Sequence, residues 1–252
     1  MRKISTQIWQ IAQIIVIVIY NLLKMKSTKK ISVLLMLLLC ISAIAQKKLD
    51  PVYINVTNER AAKIVTKLAL ENPEKEKTVT EIITQQFRDL SEIQDGRDAE
   101  IKKIKEDGSL SKEIQNEKVD QLKVAADKEI EKLHKSYLKK LGTQLSEEKI
   151  IAVKDGMTYG VLPITVAGYN DMLPNLTAEQ KDYIYKALVE AREFAMDGGS
   201  SKEKHAWFGK YKGRINNYLS KAGYDLNKES ADWHKRLEER EKNKVKDTTS
   251  KE

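Results

Sequence analysis

Apolar residues recur along this chain at helical intervals, most cleanly at Val119, Leu122, Ala126, Ile130, Leu133, Tyr137 and Leu141. Steps of three and four residues hold these side chains on one face of a helix, and Gly142 supplies a stop. An earlier run, Val79, Ile82, Ile83, Phe87, Leu90 and Ile93, keeps the rhythm through Gly96 to Ile101 and Ile104 and ends at Gly108. Together the two runs predict a long antiparallel helical hairpin. A shorter helix from about Val56 to Leu70, closed by Asn72-Pro73, precedes it.

The second half differs in texture. Eight of the 11 glycines fall between Gly156 and Gly223, and ten of the 16 aromatic residues fall between Tyr159 and Tyr224. Residues 156–175 read as an irregular connector, and helices follow at about 177–197, 201–222 and 228–244. Thr177 and Gln180 hold the capping-box positions of the first of these, and Ser146 marks another helix start. The expected fold is all-α: a long helical hairpin, an irregular Gly/aromatic-rich connector, and a second helical bundle. It forms a single domain over 46–252, divisible into lobes 52–142 and 143–244, with a disordered tail at 245–252.

Net charge is +8, which invites a nucleic-acid reading. Six of the 45 Lys and Arg residues lie in 1–45, however, where there is no acid. The remaining 39 face 37 carboxylates, an excess of +2. Charges of both signs interleave through 97–150 and 226–246, as on solvated helix faces, so no nucleic-acid partner is expected. The front of the chain reads instead as a leader. From Met25, the favoured start, Lys26, Lys29 and Lys30 precede an apolar stretch Ile31–Ile41 and the small-x-small site Ala43-Ile44-Ala45. Cleavage after Ala45 yields a periplasmic or secreted protein that meets the membrane only through its uncleaved leader. Cys40 suggests a lipid anchor, but Leu39 before it is too bulky for that processing. The apolar stretch Ile8–Leu23 leaves an additional membrane segment as the alternative to a start at Met25. Cleavage removes the sole cysteine, so core packing and not disulfides must stabilise the domain.

Candidate chemistry concentrates near the carboxy terminus. On the 182–197 helix, Arg192 falls inside the apolar arc of Ile184, Leu188, Ala191 and Ala195. A buried guanidinium requires an acceptor. Either an internal partner, Asp171, Asp225 or another acid, neutralises it, or it binds an anionic ligand. Glu190, Glu193 and Asp197 share the opposite face, where a solvated role competes with acid/base chemistry. Along the next helix Trp207, Tyr211, Arg214 and Tyr218 recur at i, i+4, i+7 and i+11, with Asn216, Asn217 and His205 nearby. Gly209 and Gly213 on the reverse side imply that another backbone or a ligand approaches closely. Ring faces beside amides and guanidinium groups suit sugars, whose C–H faces stack while their hydroxyls hydrogen-bond. Trp207, Tyr211, Arg214, Asn216, Asn217 and Tyr218, with Arg192, His205 and Tyr159, therefore form the expected ligand-binding set, for a saccharide of acidic type.

No cofactor or metal is expected: His134, His205 and His234 are scattered, and nucleophile-elbow and phosphate-loop motifs are missing. Two alternatives stay open. One is a glycoside-active enzyme using Glu190, Glu193, Asp197 or His205. The other is a periplasmic chaperone, since Leu176-Thr177-Ala178-Glu179-Gln180 resembles a signature of small helical chaperones.

Longer strings carry a second resemblance: Asp155-Gly-Met-Thr-Tyr-Gly160, Lys204-His-Ala-Trp-Phe208, Lys212-Gly-Arg-Ile-Asn-Asn-Tyr218 and Gly223-Tyr-Asp225. Over roughly 52–235 the chain resembles a domain-of-unknown-function family of exported helical proteins described as sugar-binding and encoded near polysaccharide-degradation genes. The resemblance implies a periplasmic role in carbohydrate use and assigns no site residue.

Overall fold

The first helix begins at a proline, which loses nothing there because the leading N–H of a helix has no internal partner. Helix α1 spans Pro51–Thr66. The Asn72 side chain then accepts the Lys75 N–H, and Pro73 leads into α2, Pro73–Glu106, 34 residues and about 50 Å long. Ser111 caps α3, Lys112–Gly142, in the same way. Residues 89–100 of α2 lie along 122–133 of α3, whereas 78–89 lie near Tyr137 and Lys140, so the two long helices run in opposite directions.

The computed structural model describes residues 50–249, with side chains through Asn243. The leader with its start at Met25, Cys40 and the cleavage site lies outside these residues. Eight helices and no strand occur among the described residues, so the chain is all-α. None of these helices alone is long and apolar enough to cross a membrane.

Residues 156–175, expected to be irregular, are largely helical. Helix α4, Glu147–Met157, and helix α5, Val161–Met172, meet at a bend of 88°. Two consecutive left-handed residues make this corner, Tyr159 at φ 58° and Gly160 at φ 68°. Gly160 N–H closes on the Asp155 carbonyl at 2.8 Å, and Pro163 fits the first turn of α5. Glycine density here reflects packing as well as turning: a Cβ on Gly156 would stand 3.0 Å from both γ carbons of Ile64, so α1 crosses α4 at that point.

Thr177 and Gln180 form a reciprocal capping box at the start of α6, Ala178–Met196. Ser200 caps α7, Ser201–Lys221, and α8 spans Leu226–Thr249, running into the stretch expected to be a disordered tail. Asp171 at the end of α5 receives Trp233 Nε1 at 2.7 Å and Arg240 at 2.9 Å, tying α8 down. Two apolar clusters result. One joins Ala61, Ile64 and Val65 of α1 to Ile83, Leu141, Val153 and Met157. The other joins Leu162 and Tyr169 of α5 to Leu188, Phe208, Ile215 and Leu219. Met196 of α6 joins the first cluster and Leu188 and Ala195 the second, so the two clusters meet along α6.

Candidate functional site

The nine expected ligand-binding residues do not converge. Tyr211 is buried beside Phe208 and Ile215, facing α6. Trp207 and Tyr218 flank that seam half-buried, stacked on Phe194 at 4.6 Å and on Tyr183 at 4.0 Å between centroids. Arg214 lies over the Tyr211 ring at 4.7 Å and reaches Glu190 at 3.5 Å, leaving a shallow groove of about 330 Å³. Asn216 accepts the Tyr169 hydroxyl at 2.6 Å, and Asn217 is exposed. The stripe is mostly the packing face of α7. Nor is α7 packed on two sides, since a Cβ at Gly209 or Gly213 would meet open space. Alanine at either position is accordingly expected to raise stability by about 0.4–1 kcal/mol, read as a higher Tm; a fall would show that the glycine backbone is needed.

Arg192 is 3% exposed and pairs internally, with Asp155 of α4 at 2.8 Å and Glu193 at 3.5 Å. Around this pair an ionic network joins α3, α4 and α6. Lys154 holds Glu193 at 2.6 Å, and His134 stands between Asp197 at 2.7 Å and Glu193 at 3.7 Å. The Asp197 hydrogen bond raises the His134 pKa above its ordinary value, against the opposing effect of burial. Glu193 and Asp197, on the face expected to be solvated, are thus turned toward α3 and engaged with cations. Among the described residues no group of three or more His, Cys, Asp or Glu side chains is arranged to hold a metal.

Tyr159 lies elsewhere, lining a cleft of about 1060 Å³ between α1 and the α4–α5 corner, and His205 packs against its ring. Their rings stack at 5.8 Å and 18°, and Tyr159 is 53% exposed despite its left-handed backbone. Such a conformation is uncommon for a bulky residue and costs of order 1 kcal/mol or more. It fixes an exposed ring at the cleft mouth. Opposite, Arg60, Lys63 and Lys67 line the cleft from α1. The far wall is the turn Gly198-Gly199-Ser200-Ser201, backed by Gln94, whose amide donates to the Asp197 carbonyl at 2.7 Å. Gly199 has no room for a side chain: its Cβ would stand 2.1 Å from Gln94 Oε1. Lys204 closes the floor, donating to the Ala195 and Met196 carbonyls at 3.1 and 2.9 Å, and burial pushes its pKa down to about 8.

The family described as "Protein of unknown function (DUF3826)" matches residues 54–239, about three quarters of the sequence. The chain belongs to this family. A search of curated proteins finds no match. The DUF3826 span includes the whole ionic network and every cleft-lining residue except Tyr53.

Within this DUF3826 domain the residues that sequence reasoning missed are Arg60, Lys63 and Lys67. Their signal was present. At about 100° per residue, Tyr53, Arg60, Lys63, Ile64 and Lys67 fall within about 100° of arc on α1, and the polar members repeat at i, i+3 and i+7. A near balance of charge over 46–252 concealed a local row of one sign.

Proposed function

We propose that this protein is exported and binds a saccharide in the cleft between α1 and the α4–α5 corner, in the service of polysaccharide use. The observation that carries this reading is Tyr159: an exposed aromatic ring, strained at φ 58°, stacked on His205 at the mouth of this cleft. Strain of this kind persists where surrounding structure enforces it, and it gathers at ligand sites. A ring so held offers a flat apolar face to the C–H side of a sugar. The Ser200 and Ser201 hydroxyls and the Gln94 amide supply polar groups for ring hydroxyls.

Calorimetric titration of the full chain with neutral and acidic oligosaccharides tests the reading. Binding is expected, and Tyr159→Gly, which removes the ring and accepts the left-handed backbone without strain, is expected to weaken it about fivefold or more. Absence of heat across the panel at millimolar ligand would defeat the reading. A loss with Arg214→Gln as large as with Tyr159→Gly would move the site to the α6–α7 groove.

A further inference from the structure

The cleft has a charge pattern that the saccharide reading alone does not require. Arg60, Lys63 and Lys67 project from one arc of α1, spanning about 10 Å along the helix axis. Among the described residues no carboxylate lies within ion-pair distance of any of the three. Some exposed cations elsewhere find partners along their own helices, as Lys102 does with Glu106, Lys135 with Glu131 and Lys186 with Asp182. Many do not, so what distinguishes these three is their gathering along one wall of a cleft. Row and floor together set four cations, Arg60, Lys63, Lys67 and Lys204, against one lining carboxylate, Asp155. That carboxylate is itself neutralised by Arg192 at 2.8 Å. A concave, partly apolar wall focuses the field of such a row into the cavity, where it concentrates anions.

Size and partners narrow the anion. A cleft of about 1060 Å³ exceeds the needs of an inorganic ion and suits several linked rings. The amino end of α7 is already occupied, because the Glu203 carboxylate accepts the Gly199 N–H at 2.7 Å and Ser200 caps the Glu203 N–H. A helix-terminus phosphate site is therefore not what the cleft presents. Charges repeated along one edge and an aromatic plane at the mouth match a chain that carries an anion on successive rings.

We infer that the cleft takes an anionic oligosaccharide, laying its carboxylate or sulfate groups along Arg60, Lys63 and Lys67 while one ring stacks on Tyr159. This rests on the saccharide reading above and adds the ligand's charge and orientation.

The test uses the full chain and four probes of similar length: an oligogalacturonate, the same oligosaccharide with its carboxyls methyl-esterified, a sulfated oligosaccharide, and a single-stranded oligonucleotide. The oligogalacturonate or the sulfated probe is expected to bind about tenfold or more tighter than the esterified one, with the preference shrinking as salt rises. Whichever of the two binds tighter identifies the source of the anion. Lys63→Gln with Lys67→Gln should abolish most of that preference and leave the esterified probe unaffected. Tyr159→Gly should weaken charged and esterified probes by the same factor. The exposed pair Lys128→Gln with Lys132→Gln, on α3 away from the cleft, controls for overall charge. Equal affinity for charged and esterified probes would overturn the anionic assignment and leave the saccharide reading standing. No binding by any saccharide would overturn both, and an oligonucleotide binding tightest of all would replace the ligand class.

Discussion

Replacing Arg192 by methionine is expected to lower folding stability by about 3 kcal/mol, seen as a lower urea midpoint with an unchanged slope. The guanidinium is 3% exposed, and it answers Asp155 at 2.8 Å and Glu193 at 3.5 Å. Methionine fills much of the same volume, so the loss does not come from a cavity. It comes from Asp155, a partly buried carboxylate left without its cation, whereas Glu193 keeps Lys154 at 2.6 Å. Asp155→Asn together with Arg192→Met should therefore cost less than the two single changes added, because the uncompensated charge is gone. Additivity in that cycle, or a loss for Arg192→Met below about 1 kcal/mol, would show the pair to be passive. Asp155 also lines the cleft and accepts the Gly160 N–H through its carbonyl, so the same variant should loosen the corner that carries Tyr159.

Much of this fold was legible as periodicity, and the exceptions have local causes. The α2 and α3 runs could be read because each buries one narrow apolar face. Residues 156–175 read as a connector because their glycine and aromatic density interrupts the apolar rhythm, yet they are largely helical. Gly156 instead lies inside a helix where Ile64 leaves no room for a Cβ. Arg192 was identified as a buried charge from its wheel position alone, but its partner was not, because Asp155 lies 37 residues away on another helix. The candidate site was less legible still. Aromatic spacing along α7 reports contact with α6, which any packed helix pair requires. The cleft is assembled from α1, the α4–α5 corner and the α6–α7 turn, and no single-helix pattern records that they meet.

Stability is expected to fall as pH rises above about 6.5, and His134→Gln should flatten that dependence while lowering stability at the acid end by about 2 kcal/mol. Hydrogen bonding to Asp197 at 2.7 Å, with Glu193 at 3.7 Å beyond, raises the folded pKa of His134 above its ordinary 6.5. A raised folded pKa means that the folded state binds the proton more tightly than the unfolded chain does. The contribution is complete below 6.5 and disappears as pH climbs through the folded value. Lys204 acts with the opposite sign: its pKa is pushed down from 10.5 to about 8, so the cost of burying its charge is relieved as pH rises between those values. Urea midpoints taken at or below about pH 7 therefore isolate the histidine. A flat wild-type profile over that range would mean that His134 is not protonated between its two carboxylates. The group matters beyond stability because Asp197 leads directly into Gly198 and Gly199, and its carbonyl takes the Gln94 amide behind the cleft wall. Loss of the His134 proton removes a positive charge from beside Glu193 and Asp197 and so makes the field behind that wall more negative. Below about pH 7, where Lys204 keeps its charge, affinity for an anionic ligand should decline as pH rises, and in His134→Gln that decline should be absent.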